Sequence, residues 1–582
     1  MDVFAAFQNR VAEALKAEFP NIDPALLERF TIEPPRDPSH GDLSTNAAML
    51  TGKPLGRAPR DIAAALARRF AGDPDVVSVE VAGPGFVNFR VKPAAWQSVV
   101  ETVSKAGVNF GRCDLGHAGK LNVEYVSANP TGPMHVGHTR GAVYGDALAA
   151  LMEFAGYKVT REYYVNDAGA QVDSLARSAF LRYREALGEA IGTIPESLYP
   201  GDYLVPVGEA LKARFGKALL GKPEAEWLPV VRAIAVAAMM ALIRADLARL
   251  GIRHEHFFSE SSLHGPDGDI VKTLAWLRDQ GMVYQGRLES PKGAVPEDWE
   301  DREQTLFRAS QFGDDADRAL IKSDGGYTYF AADIAYHRNK YLRGFKQQVA
   351  VLGADHVGYV KRLTAALKAV SGGAAEIDVK LCQLVNLMRA GQPVKMSKRA
   401  GTFVNAADLV DEVGPDAVRF IMLFRKNDAP LDFDFDLVTQ KTRENPVFYV
   451  QYAHARCCSV FRAAGRDLPD LDTGAPALAS ADLSLLATAQ DLGLLRLVAG
   501  FPRSIESAAR VHEPHRIAFY LHDLAADFHA FWTKGNESGA LRFVNHEDRK
   551  LTLARLALVS ATRQVLQNGL AILGVGAPEE LS

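Results

Sequence analysis

The chain has 582 residues, with 66 Lys and Arg against 70 Asp and Glu for a net charge of −4, and is 48% hydrophobic and 23% charged. This near-average mix excludes a disordered, collagen-like or disulfide-stapled chain, and the length suffices for roughly four domains of about 150 residues. The four cysteines, Cys113, Cys382, Cys457 and Cys458, form no CxxC or Cys/His cluster, which points to a reducing compartment and away from a cysteine-rich zinc site.

The first 20 residues place Phe4, Phe7, Val11, Leu15 and Phe19 on one face of an amphipathic helix. Asp2, Arg10 and Glu13 interrupt any apolar signal core there. Residues 61–70 read as a second helix, and 76–81 with 86–91 as a hairpin around Gly83, Pro84 and Gly85. A small α+β module therefore ends near residue 112. Residues 121–126 then read as a buried strand, 137–155 as a helix stopped by Gly156, and 157–165 as a strand. Strand, helix, strand is a βαβ unit, hence a parallel sheet of nucleotide-binding type. Residues 175–255 are mostly helical and carry little visible chemistry. Their longest purely apolar run, 233–243, is 11 residues between Arg232 and Arg244, short of the roughly 20 that span a bilayer, so no membrane association and a cytoplasmic location are expected. Residues 348–352 and 379–385 suggest that the sheet continues, and from about 435 long amphipathic helices dominate, 551–573 among them. The expected divisions are 1–112, 113–410, a connector at 411–434, and 435–582.

Chemistry concentrates in a few places. The stretch NVEYVSANPTGPMHVGH puts His135 and His138 at the mouth of a helix whose N-terminal N–H groups favour phosphate, with Gly137 between them leaving room for a flat base. Capping or core histidines are the plainer reading of such a pair taken alone, and a zinc pair lacks a third ligand. PVKMSKRAGT sets Lys395 and Lys398 around Ser397 in a loop suited to polyphosphate charge. VLGADH brings Gly353 and Asp355 to a strand's carboxyl end, where a carboxylate suits a ribose. Two decoys fall away. The GKALLGKP stretch, 216–223, has Pro223 where a P-loop needs Ser or Thr, and His254 with His256 read as structural histidines.

A planar cationic fork such as guanidinium is best met by carboxylates. Glu124 ends the first strand with Asn129 five residues on, and Tyr329 and Asp333 stand one helical turn apart.

HVGH at the first βα turn together with a late KMSK loop resembles the class I aminoacyl-tRNA synthetases. SANPTGPMHVGHTRGAVYGDALA, VQYAHAR and LAILGVGAPEEL, with HGDLSTNAAM and GPGFVNFRV near the N-terminus, resemble arginyl-tRNA synthetases over nearly the whole chain. The resemblance implies an α/β multidomain fold: a Rossmann-type catalytic domain, an N-terminal α+β tRNA-binding module and an all-helical C-terminal anticodon-binding domain. It implies activation of L-arginine by ATP with Mg²⁺, then transfer to the 2′-hydroxyl of the terminal adenosine of tRNA-Arg. By the same resemblance His135, Gly137 and His138 hold ATP, Lys395, Ser397 and Lys398 meet the pyrophosphate, Gly353 and Asp355 the ribose, and the backbone near Met388 the adenine. Glu124, Ser127, Asn129, Tyr329, Asp333 and His356 form the expected arginine pocket. Tyr452, His454 and Arg456 are stacking and phosphate candidates for tRNA, with a packed helix face an equal reading. Protein-bound zinc is not expected, and a monomer is. A cysteinyl-type synthetase would share both loops but needs a cysteine/histidine zinc site that the sequence lacks.

Overall fold

The computed structural model describes residues 2–288, 300–394 and 404–581. An N-terminal four-stranded antiparallel sheet, β1 (Ile32–Glu33), β2 (Leu43–Thr45), β3 (Val76–Ala82) and β4 (Phe86–Val91), has the order β1-β2-β4-β3. Helix Val3–Glu18 closes it, burying the expected Phe4, Phe7, Val11 and Leu15. The Phe7 and Phe70 rings meet Phe89 edge-on at 5.6 and 4.9 Å.

The second sheet is fully parallel, in the order β12-β11-β5-β6-β7: β5 is Lys120–Glu124, β6 Lys158–Val165 and β7 His256–Ser259. A small antiparallel sheet, β8 (Val283–Gly286), β9 (Gln304–Phe307) and β10 (Arg318–Ala319), intervenes before β11 (Gln347–Gly353) and β12 (Glu376–Cys382). The chain leaves β5 toward β6 and β7, then returns to the other side of β5 for β11 and β12. That reversal is a topological switch point, and ligands of open α/β sheets bind at the carboxyl ends of the strands there. The strand expected at 379–385 divides: β12 stops at Cys382, and Val385–Arg389 becomes β13, central in a sheet with β14 (Gln392–Pro393) and β15 (Leu431–Asp434). Apolar pattern alone joins two strands that run consecutively into different sheets.

Helix Val136–Phe154 follows β5 and crosses its end closely. A Cβ on Gly145 would stand 2.3 Å from Cβ of Tyr125, far inside contact distance. Gly145→Ala is expected to lower unfolding free energy by about 1–3 kcal/mol, as overpacked cores do, read as a lower melting temperature with the fold retained.

Helix Glu224–Arg249 is, among the described helices, the one long and apolar enough to cross a membrane, which the 11-residue run did not suggest. In the fold one face of it packs into a core with Leu175, Tyr183 and Leu211, burying Trp227, Val231 and Met239. Its buried Asp246 accepts from the Met134 N–H at 3.0 Å.

The C-terminal region is helical, built on Pro446–Asp467, His515–Glu537 and Arg549–Leu573. It docks directly on the N-terminal module. Asn568 Nδ2 donates to the carbonyls of Gly107 and Phe110 at 3.0 and 3.1 Å, Gln97 Nε2 to Leu486 O at 3.0 Å, and Arg496 pairs with Asp42 at 2.8 Å. The fully buried Arg419 joins three regions, donating to Leu573 O, Leu250 O and Asp146.

Candidate active site

β5 delivers Glu124 to the switch point, in register with Ala350 of β11 and Glu162 of β6. Immediately after it, Val126 and Ser127 both adopt left-handed backbone, at φ 72° and 41°. A β-branched residue there is strained, and such strain persists where the surrounding structure over-determines it. Here Ser127 Oγ accepts from Tyr164 N–H at 3.0 Å and donates to Glu124 Oε1 at 3.4 Å, while Tyr163 Oη donates to Ala128 O at 2.8 Å. The kinked loop carries on to Asn129, whose side chain bonds Gln171 and Asn166.

His135 caps helix Val136–Phe154: its Nδ1 accepts from Gly137 N–H at 3.0 Å, and His138 Nδ1 accepts from His135 N–H at 3.4 Å. The two rings stack with centroids 3.8 Å apart. A Cβ at residue 137 would lie 2.8 Å from His135 Cε1, so glycine is what lets the capping ring fold over the helix start. The pair is therefore a helix cap, which leaves both rings at a phosphate-favouring helix N-terminus.

Lys395, Ser397 and Lys398 lie outside the described residues, but both flanks of their segment are anchored. Val394 N–H donates to Leu387 O at 2.8 Å. On the far side Val136 N–H donates to Val404 O at 3.2 Å and Ala406 N–H to Met134 O at 2.9 Å, with His135 bridged to Asn405. The HVGH segment and residues 404–406, about 270 residues apart in sequence, are thus joined by backbone. Met388 sits in β13, opposite Pro393 and Asp434.

Gly353 ends β11, and Asp355 folds back so that its Oδ1 would stand 2.5 Å from a Cβ at 353. Asp355 is exposed, as is His356, 3.8 Å from it.

Helix Tyr329–Leu342 starts with Tyr329, 57% exposed, and carries Asp333 one turn inward. Burial, then the neighbouring charges of Glu124 and Glu260, push the Asp333 carboxyl up to about 7, against a smaller opposing effect of Arg362. Glu260 is a residue the sequence reading passed over. It is 6% exposed, its carboxyl is raised mainly by burial, and its side chain lies 3.6 Å from His264. Only its place just after β7 hints at a role. Glu124 is held from behind, its Oε2 2.5 Å from Lys340 Nζ.

Tyr452, 37% exposed, stacks on Phe448 and His529. Arg456 lies over the Tyr452 ring at 4.4 Å and the Trp532 ring at 4.9 Å and bonds Tyr452 Oη and His529 Nδ1. His454 does not share that surface. It is 4% exposed and its Nδ1 meets Pro578 O at 2.8 Å, pinning the C-terminal tail, because the third residue of this helical turn points inward. His254 is half-buried, against Tyr125 and Tyr163, and that burial pulls its pKa down to about 4. Among the described residues no three His, Cys, Asp or Glu side chains form a metal-holding group.

Family models match in three places: an arginyl-tRNA synthetase N-terminal domain at 5–91, a catalytic domain of class I (R) tRNA synthetases at 101–186, and a DALR anticodon-binding domain at 450–581. The parallel sheet and its capped HVGH helix thus belong to a class I aminoacyl-tRNA synthetase. Arginine–tRNA ligases from Methylobacterium nodulans and Agrobacterium fabrum are 59% and 56% identical, each alignment covering all of both chains. A Thermus thermophilus arginyl-tRNA synthetase shares the fold at a TM-score of 0.71 and 22% identity, over 99% of this chain and 100% of that one. The chain belongs to the arginyl-tRNA synthetase family.

Proposed function

We propose that the chain joins L-arginine to tRNA-Arg in two steps at the β5–β11 switch point. The arginine carboxylate attacks the α-phosphorus of ATP, pyrophosphate leaves, and the arginyl group passes to the terminal 2′-hydroxyl, releasing AMP. The observation that carries the substrate choice is Glu124 standing at the switch point, with Asp333 and Glu260 near enough that, after burial, the charges of Glu124 and Glu260 raise the Asp333 carboxyl. One guanidinium relieves that repulsion. Asn129, Ser127 and Tyr329 orient arginine, and His356 stands at the pocket's rim. His135, Gly137 and His138 receive the phosphates, Gly353 and Asp355 the ribose, the Met388 backbone the adenine, and Lys395, Ser397 and Lys398 the departing pyrophosphate. Positioning and charge stabilisation suffice, without a covalent enzyme intermediate. Mg²⁺ arrives with ATP. The helical C-terminal domain meets the anticodon region, with Tyr452 and Arg456 as its stacking and phosphate-binding side chains, and the N-terminal module meets the tRNA elbow. A cytoplasmic monomer is expected, which sedimentation near 63.2 kDa would support. Exchange of pyrophosphate into ATP should require arginine, together with tRNA-Arg. Exchange driven by cysteine or glutamate refutes the assignment.

A further inference from the structure

Helix Tyr329–Leu342 carries more than the two residues that reach the pocket. Tyr329, Asp333, Tyr336 and Lys340 fall at i, i+4, i+7 and i+11, one continuous stripe of the helix. The stripe runs from the exposed Tyr329 to Lys340, whose side chain is wholly buried.

A buried lysine is costly unless its charge is met. Lys340 Nζ stands 2.5 Å from Glu124 Oε2 and 4.2 Å from the Tyr336 ring centroid. The neighbouring carboxylate, Glu162, is already satisfied. Arg343 holds it with two bonds of 2.8 Å, and Tyr336 Oη and Asn122 Nδ2 complete it at 2.8 and 2.9 Å. Against the effect of its burial, Lys340 and the Arg343 fork hold the Glu162 carboxyl down to about 2. Glu162 therefore does not need Lys340 as a bonding partner, whereas among the described residues Glu124 is bonded by Lys340 at 2.5 Å and, more weakly, by Ser127 at 3.4 Å. Charges in this floor balance: Glu124 and Glu162 against Lys340 and Arg343. Outside this balanced set lie Glu260, which has His264 at 3.6 Å, and Asp333, the one carboxylate a single guanidinium would match.

We propose that Lys340 is a positioning residue of the arginine pocket: it clamps Oε2 of Glu124 from behind, so that Oε1 is the oxygen aimed with Ser127 toward the substrate. This rests on the arginine-pocket reading given above. Lys340 touches neither arginine nor ATP. Its charge also lowers Glu162, but its one hydrogen-bonded carboxylate is Glu124, and losing that contact lets Glu124 turn away.

The test is a kinetic double-mutant cycle on the full-length enzyme with tRNA-Arg present. Lys340→Met should raise the arginine KM about tenfold, within the usual coupling range for side chains of one network, while kcat and the ATP KM stay within a few-fold. Because Lys340→Met alone leaves Glu124 buried without its cation, it is paired with Lys340→Met/Glu124→Gln, which removes both charges and should recover thermal stability. That double variant should match Glu124→Gln alone in arginine KM, since the lysine has nothing left to position. An arginine KM for Lys340→Met that is unchanged or lower, or a double variant in which the two effects add fully, overturns the inference and makes Lys340 a purely structural ion pair. Asp333→Asn, run alongside, separates the two levels: if it too leaves the arginine KM unmoved, the pocket itself is misplaced and the inference falls with it.

Discussion

His138→Ala is expected to lower kcat about 10²–10³-fold, the usual cost of removing one group that stabilises developing charge in a transition state. The same substitution also removes half of a helix cap, because His138 Nδ1 accepts the His135 N–H. Magnitudes separate the two roles. A lost cap costs about 1 kcal/mol of stability, which lowers the melting temperature by a few degrees and leaves the turnover of the folded enzyme alone. His138→Asn keeps an acceptor for that N–H, so it should recover the melting temperature and not the rate. Single-turnover arginyl-adenylate formation measures the rate constant of this step directly, apart from product release. If kcat stays within a few-fold while only thermal stability falls, the imidazoles are a cap and nothing more. Lys398→Ala should show the rate loss without the stability loss.

Local pattern made part of this site readable in advance. The β5, helix and β6 unit, the histidines at the helix mouth and the Gly353/Asp355 strand end all follow from periodicities of 2 and 3.6 and from helix-end chemistry, and the structure keeps them within a residue or two. Glu260 was not readable. A single acid in FSESS has no periodic signature, and it matters only because β7 lies two strands from β5 and brings its charge within reach of Asp333. Lys340 was hidden for a related reason: a lysine on a helix is ordinarily solvated, and nothing in the sequence says that this face meets Glu124, 216 residues away. His454 misled in the opposite direction, since a polar residue between an exposed Tyr452 and Arg456 looks like surface until the C-terminal tail is seen crossing it. The docking of the N-terminal module on the helical domain is also a long-range choice of faces, which amphipathic pattern announces without naming the partner.

Asp333→Asn tests the assignment of arginine itself. The change keeps size and much of the hydrogen-bonding capacity but removes the charge that faces the guanidinium. Leaving one member of a desolvated charge pair unmatched costs about 2–5 kcal/mol, or roughly 30- to several-thousand-fold in arginine affinity. ATP affinity should barely move, because Asp333 lies on neither phosphate-binding segment. Acidity gives a second, independent signature. Burial first, then the charges of Glu124 and Glu260, raise the Asp333 carboxyl to about 7, against a smaller lowering effect of Arg362. Its folded value lies above its ordinary one, so the protonated form is favoured by the fold. The stability this gives is complete below the ordinary carboxylate range and is lost as pH rises through about 7. Guanidinium pairs with the ionised form, so below pH 7 arginine must displace that proton. Arginine affinity should then climb about tenfold per pH unit up to about 7 and level off above it, with close to one proton released per arginine bound in calorimetry at pH 6. Asn cannot titrate, so Asp333→Asn should flatten the profile as well as raise KM. A variant with wild-type arginine KM and an unaltered pH slope would move the guanidinium's partner elsewhere, with Glu260 the first residue to examine, because it is the other carboxylate of the cluster that Lys340 does not neutralise.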